Sequence, residues 1–187
     1  MPRTGLGLVG ARRYANHVKT KSLFAFPDPV NEVSARTVAA GVVALCLIAL
    51  VSGQAWLTVV IACGFLARVA TGPTLSPLGQ LATRVVTPRL GLAPRYVPGP
   101  PKRFAQGIGA VLSVGAAVVA VGFGSQGAAD VLLAAILVAA TLESALGFCL
   151  GCKIFAGLMR IGVIPERVCV ACANVRFEAP IGREGSA

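Results

Sequence analysis

Uncharged hydrophobic runs divide the chain and predict helices that cross a membrane. No Asp, Glu, Lys or Arg occurs from Thr37 to Ala67, and none occurs from Phe104 to Ala129. A helix needs roughly 20 apolar residues to cross the hydrocarbon core of a bilayer. The first run is too long for one untilted span, because a helix rises only about 1.5 Å per residue. Both runs therefore predict an integral membrane protein.

Short turns within the apolar regions split them into hairpins. Ser52-Gly53-Gln54 interrupts the first region, and Gly124-Ser125-Gln126-Gly127 interrupts the second. Glycine permits the tight backbone turns that such hairpins need. The fold class that we predict is an all-α bundle of four transmembrane helices in two hairpins, with spans near residues 37–51, 55–70, 107–123 and 129–150.

A connection at residues 71–103 joins the two predicted hairpins. Gly72-Pro73 opens it and Pro98-Gly99-Pro100-Pro101 closes it, which predicts irregular or polyproline-like ends. Between them, residues 77–90 carry apolar side chains at helical spacing, with polar and basic residues elsewhere. This pattern predicts an amphipathic helix lying in the membrane interface.

Basic residues indicate the orientation of the spans. They concentrate in an arm at residues 1–36, in the connection, and in a tail at residues 153–187, whereas the hairpin turns contain no Lys or Arg. The positive-inside rule then places the three basic segments and both termini in the cytoplasm, and the membrane domain at residues 37–152. The net charge of +10 is explained by contacts with anionic lipid headgroups. It does not predict a nucleic-acid partner, since aromatic residues are few.

Two Cys-x-x-Cys pairs are the strongest chemical signal. Cys149 and Cys152 lie at the end of the fourth predicted span, and Cys169 and Cys172 lie in the tail. The C-x2-C-x16-C-x2-C spacing suits a site of four thiolates that binds zinc. The alternatives are a dithiol relay that exchanges disulfides with other proteins, or thiols that pack as small apolar groups. On the cytoplasmic side a lasting structural disulfide is disfavoured.

Glu143 is the one charge deep within a predicted span. An isolated carboxylate at that depth is costly, so we expect an ion pair with Arg68 or Arg36, which enter from the same side of the bilayer. The alternative is a carboxylate that binds a proton or a ligand. On an ideal helix, Glu143 and Cys152 point in opposite directions, which argues against direct cooperation.

Four segments resemble a bacterial membrane family known as domain of unknown function 4395. They are residues 28–36, Gly64-Phe65-Leu66-Ala67-Arg68, residues 100–109, and residues 142–152 with Leu142-Glu143-Ser144 and Phe148-Cys149-Leu150-Gly151-Cys152. The closing Val168-Cys169-Val170-Ala171-Cys172 resembles actinobacterial members. The resemblance implies a multi-span protein of the bacterial inner membrane, with thioredoxin- or rhodanese-like proteins as partners in sulfur or thiol metabolism.

Three functions remain open at this point. The chain is a membrane-anchored protein with a cytoplasmic thiolate site, binding zinc or exchanging electrons. Alternatively, it is a non-catalytic accessory subunit of a larger membrane complex, or a small oligomeric transporter whose pathway contains Glu143. No nucleotide-binding loop or catalytic triad pattern occurs in the sequence, so whether it is an enzyme stays open.

Overall fold

The structure, a computed structural model, is mostly helical and describes residues 26–169 and Cys172. Helices α1 (Glu32–Ser52) and α2 (Trp56–Thr71) are followed by the short α3 (Pro77–Leu81), a π-helical turn (Ala82–Val86) and α4 (Thr87–Arg89). Helix α5 (Gly99–Ala117) continues into a second π-helical turn (Val118–Gly122). Helices α6 (Gln126–Leu146) and α7 (Leu150–Arg160) and a 3₁₀ turn (Glu166–Val168) complete the order.

Within the part of the chain that the structure describes, three helices are long and apolar enough to cross a membrane. They are Glu32–Ser52, Gly99–Gly122 and Gln126–Leu146, while Trp56–Thr71 is equally apolar but shorter. Large apolar side chains such as Val51, Val111 and Phe123 are exposed on these helices or at their ends. A soluble protein would bury most such groups, so the outer surface suits contact with lipid.

The predicted hairpin turns are present. Gly53 adopts a left-handed conformation with φ 62° and ends α1. Gly124 also adopts a left-handed conformation, with φ 64°, shortly before α6 begins. Both conformations are readily available only to glycine. The chain therefore reverses at the two positions that the sequence predicted.

Small residues hold the helices together. The main contacts join α2 to α5 and α1 to α6, so each hairpin packs chiefly against the other one. Cys46, Ala116, Ala129 and Leu133 are fully buried at these contacts. Close approach of apolar helices depends on such small side chains, since lipid provides little hydrophobic driving force for association.

A short antiparallel pair joins the two hairpins at one end of the bundle. Strand β1 (Val30–Asn31) precedes α1, and β2 (Tyr96–Val97) precedes α5, with Val30 opposite Val97. The Gly99 N–H also donates to Asp28 Oδ1 at 2.9 Å. These bonds place the starts of α1 and α5 side by side, an arrangement that the hydrophobic pattern alone did not predict.

Two predicted boundaries are wrong. The third apolar helix begins at Gly99 rather than near residue 107, because Pro98 acts as its N-cap and proline is favourable in the first helical turn. The fourth ends at Leu146 rather than residue 150, because Gly147 takes a left-handed conformation with φ 66°. The connection is helical at 77–89, as expected, although a π-helical turn interrupts it. Residues 1–25 of the predicted arm and most of the tail beyond Cys169 lie outside the described residues.

Helix α7 packs against α5 through glycine. A Cβ built on Gly151 would lie 2.6 Å from the Cα of Ala105, whereas a Cβ on Gly157, later in the same helix, would meet nothing within 4 Å. Phe155 of α7 also contacts Phe104 edge-to-face, with ring centroids 5.6 Å apart. The position of α7 therefore depends on a glycine at residue 151.

We predict that Gly151→Ala lowers the unfolding temperature of the detergent-solubilised protein, whereas Gly157→Ala does not. Overpacking a tight contact costs about 1–3 kcal/mol, while replacing an exposed helical glycine by alanine gains roughly 0.5–1 kcal/mol. Thermal unfolding followed by circular dichroism measures both variants. Equal shifts for the two variants would contradict the close packing of α7 on α5.

Candidate functional site

The first Cys-x-x-Cys pair begins a new helix instead of ending the fourth apolar one. The N–H of Gly147 donates to the Glu143 carbonyl, and the N–H of Phe148 donates to the Leu142 carbonyl, which closes α6. Cys149 is then extended, with φ −86° and ψ 103°, and is the N-cap of α7. Its sulfur accepts the N–H of Cys152 at 3.4 Å. The reactive pair thus lies at a helix N-terminus, where a negative charge is stabilised.

The two sulfurs of this pair lie 2.6 Å apart, with the Cys152 thiol donating to Cys149. That hydrogen bond is the main cause that lowers the pKa of the Cys149 thiol; the Lys102 charge and the Cys152 N–H also lower it, while burial and Glu143 oppose the shift. The same hydrogen bond raises the pKa of Cys152, and burial adds to the effect. Cys149 is therefore the member of the pair whose thiolate form is favoured.

A buried ion pair lies beside these thiols. Lys102 Nζ, in the first turns of α5, contacts Glu143 Oε1, near the end of α6, at 2.6 Å. The two side chains are only 9% and 15% exposed. Removing one partner from such a pair leaves a buried uncompensated charge, which is strongly destabilising. The ion pair therefore ties α5 to α6 at the point where Cys149 follows.

Glu143 is paired, as expected, but the predicted partners were wrong. Arg36 donates instead to the backbone carbonyls of Ser144 and Ala145 at 2.8–3.1 Å, where they are left open at the end of α6. Arg68 donates through Nε to Gln106 at 3.0 Å. Lys102 was missed because α5 was expected to start later, which placed this lysine in the connection. The proline-rich start of α5 was the signal that could have identified it.

The tail pair approaches the same place. Cys169 and Cys172 form a disulfide with an S–S distance of 2.05 Å. Cys172 lines a cleft of about 450 Å³ together with Cys149, Cys152 and Lys102. Helix α7 ends at Arg160, and Gly162 then adopts a left-handed conformation with φ 79°. One cysteine of the tail disulfide, Cys172, therefore shares a cleft with both cysteines of the first pair, which are free thiols.

The present arrangement of the sulfurs does not fit zinc. Tetrahedral coordination requires four thiolate sulfurs around one ion, and the Cys169 and Cys172 sulfurs are joined in a disulfide. Within residues 26–169 and Cys172, no three His, Cys, Asp or Glu side chains are grouped to hold a metal ion. Zinc binding stays a prediction that requires both pairs to rearrange and the tail disulfide to be reduced.

We predict that replacing Glu143 by Leu strongly destabilises the protein and that a second change, Lys102→Met, restores most of the loss. A single change leaves a buried charge without a partner and lowers the free energy of unfolding by about 3–5 kcal/mol, whereas replacing both partners by apolar groups is often neutral. Unfolding in denaturant measures the three variants. As a control, Arg68→Met combined with Glu143→Leu is expected to restore little, and a better rescue by Arg68→Met would contradict the assigned pair.

Comparison with known proteins identifies the family. The family model described as "Domain of unknown function (DUF4395)" matches residues 30–160, which is well over half of the 187-residue chain. Curated proteins give no match, and neither do solved structures. The matched region contains Lys102, Glu143 and the first Cys-x-x-Cys pair, and it ends before the second pair. The chain belongs to the DUF4395 family.

Proposed function

We propose that the protein is a membrane-anchored thiol–disulfide exchange protein whose two Cys-x-x-Cys pairs exchange with each other. The observation that carries the proposal is that Cys149 and Cys152, present as a dithiol, share a cleft with Cys172 of the tail disulfide. The Cys149 thiol has a lowered pKa and so supplies the attacking thiolate. The function is thus a transfer of two electrons between two sites on one chain.

The exchange has two balanced steps. The Cys149 thiolate attacks the Cys172 sulfur, which forms a mixed disulfide and releases Cys169 as a thiolate that takes up a proton. The Cys152 thiol then loses its proton and attacks the Cys149 sulfur, which releases Cys172. The first pair ends as a disulfide and the tail pair as a dithiol. Attack on the sulfur of a disulfide by a neighbouring thiolate is the general route of such reactions.

Lys102 and Glu143 adjust the reactivity of Cys149 in this scheme. The Lys102 charge favours the thiolate of Cys149, and the Glu143 charge disfavours it. Because the two side chains are paired at 2.6 Å, their effects largely cancel while the pair stays intact. Glu143 therefore has a counter-ion and a positioning role, which argues against its use as the carboxylate of a transport pathway.

The proposal includes an even number of membrane crossings, with the thiol site on the same side as the basic segments. The pairing of Val30 with Val97 puts the starts of α1 and α5 side by side, which supports a path in which α1 and α2 leave one membrane face and return to it. Helix α2 is short, at 16 residues, but Trp56–Thr71 is apolar throughout except for Arg68 near its end. With the positive-inside rule, four spans and cytoplasmic termini in the bacterial inner membrane follow, with the connection against anionic headgroups.

The reducing cytoplasm makes the tail disulfide a transient species. Disulfides that form there are usually catalytic or redox-sensing rather than structural. A soluble dithiol protein of the thioredoxin or rhodanese-like class is the partner that would reduce the oxidised pair and allow a new cycle. Four thiolates on zinc would remove the same sulfurs from exchange, so metal content separates the two chemistries.

We predict that a Cys152→Ser/Cys169→Ser variant traps the mixed disulfide between Cys149 and Cys172. Mild oxidation with oxidised glutathione should form it in purified protein, and peptide mass spectrometry should identify it. The matched control, Cys149→Ser/Cys169→Ser, leaves Cys152 to react with Cys172. Its cross-link should form more slowly, because the backbone N–H of residue 152 still lowers the pKa of Cys149 in the first variant, whereas burial still raises the pKa of Cys152 in the control.

Two outcomes would contradict the exchange proposal. One is the absence of any cross-link between Cys149 and Cys172, or an equal rate in the control. The other is about one zinc ion per chain in the purified wild-type protein, bound by these four sulfurs. Chelation would then remove the zinc and loosen the tail.

We predict a second result for the topology. In a variant without native cysteines, Ser52→Cys and Gln126→Cys should react with a membrane-impermeant maleimide in intact cells, because both turns face outward. Arg89→Cys, in the connection, should react only after the membrane is opened. Labelling of the hairpin turns only after opening would exclude the proposed orientation.

A further inference from the structure

A separate cavity at the basic end of the bundle contains two buried cations. The cavity has a volume of about 310 Å³ and is lined by residues that include Asn31, Ser34, Arg68, Thr83, Lys102 and Gln106. Arg68 is only 5% exposed and Lys102 only 7%. The exposed Tyr96 also lines the cavity, so it reaches the protein surface. None of the cysteines of the thiol site is among its lining residues.

The partners of Arg68 are neutral. Its Nε donates to Gln106 Oε1 at 3.0 Å, and Nη1 donates to the buried Ser76 hydroxyl at 3.5 Å. The guanidinium also lies 4.3 Å from the centre of the Phe65 ring. Among the residues that the structure describes, no carboxylate lies within ion-pair distance of Arg68. A buried arginine without an anion is unusual, since buried charges are normally paired.

One carboxylate serves both cations in this region. The charge of Glu143 acts on Arg68 as well as on Lys102, but only Lys102 contacts it, at 2.6 Å. The wall of the cavity therefore has an excess positive charge, with hydroxyl and amide groups of Asn31, Ser34 and Thr83 around it. Guanidinium groups present several N–H donors in a plane, a geometry that matches the oxygens of phosphate and related anions.

We propose that this cavity, which we call the Arg68 cavity, binds a tetrahedral oxyanion group of the phosphate or sulfate type. The anion supplies the missing counter-charge to Arg68 and accepts from the side-chain amides of Asn31 and Gln106, whereas the Ser34 and Thr83 hydroxyls are already hydrogen-bonded to Thr87 and to the Gly79 carbonyl. The volume of about 310 Å³ admits such a group with part of what is attached to it. The site does not depend on thiol exchange, because it shares only Lys102 with the cleft of the cysteines.

Two sources can present this chemistry, a free inorganic anion and the phosphate of a lipid headgroup. The cavity lies where the basic connection meets the bundle, since Gly79 and Thr83 of the connection line it beside Asn31 and Ser34. Basic segments next to a membrane attract anionic headgroups.

Titration calorimetry on the delipidated full chain in detergent, with inorganic phosphate and sulfate as separate probes, tests the free source. Thermal unfolding in nanodiscs of phosphatidylglycerol or of phosphatidylcholine tests the lipid source.

Three variants define the site. Arg68→Gln should reduce binding at least about tenfold, because it removes the forked cation. Ala35→Leu should reduce it as well, since residue 35 lines the cavity and the larger side chain fills it while every charge is kept. Arg84→Gln is the matched control: it removes an exposed charge from the same end of the bundle and should leave binding unchanged. Circular dichroism confirms that each variant is folded.

Either source supports the proposal if the binding responds to the first two variants and not to the control. Binding of phosphate or sulfate in detergent identifies a free oxyanion. Stabilisation by phosphatidylglycerol over phosphatidylcholine, without binding of the free anions, identifies a headgroup. The proposal is overturned if neither probe binds, or if Arg68→Gln, Ala35→Leu and Arg84→Gln all behave like the wild type.

Discussion

The ion pair between Lys102 and Glu143 is the constraint on which the arrangement of the site depends. Two charges near the ends of apolar helices are tolerated only when they meet, and they meet at 2.6 Å. Their contact joins the start of α5 to the end of α6, next to the turn that carries Cys149. The same pair sets the local electrostatics, because its two charges act in opposite directions on the Cys149 thiol.

Gly147 ends α6 beside this ion pair and so determines where the Cys149 and Cys152 thiols lie. If α6 continued, Cys149 and Cys152 would sit on a membrane helix and Cys152 would point away from Glu143. Because α6 ends at Leu146, Cys149 becomes the N-cap of α7. Its sulfur accepts hydrogen bonds from both the backbone N–H and the thiol of Cys152. Helix α7 then folds back on α5 through Gly151, which brings Lys102 and the thiols together.

Much of the architecture could be predicted from the sequence, since run lengths, glycine turns and basic residues act locally. The apolar helices and both hairpin turns were predicted on that basis. Contacts between segments that are distant in the sequence could not be predicted from these local signals. The prediction of the Glu143 partner was wrong because it depended on where α5 begins. The pairing of Val30 with Val97 could not be predicted because two-residue strands have no recognisable hydrophobic pattern. The shared cleft of the two Cys-x-x-Cys pairs likewise depends on the break at Gly147.

The central claim, exchange between the two pairs of one chain, is tested most directly by following where a single disulfide resides. Fully reduced protein receives about one molecule of a two-electron oxidant per chain, enough for one disulfide, is quenched with acid at intervals, and is analysed by differential alkylation and mass spectrometry. The account predicts that the disulfide distributes over Cys149–Cys152 and Cys169–Cys172 in a constant ratio, and that Cys149→Ser confines it to the tail pair. A disulfide that stays in one pair of the wild-type protein, with no mixed species between Cys149 and Cys172, would contradict it.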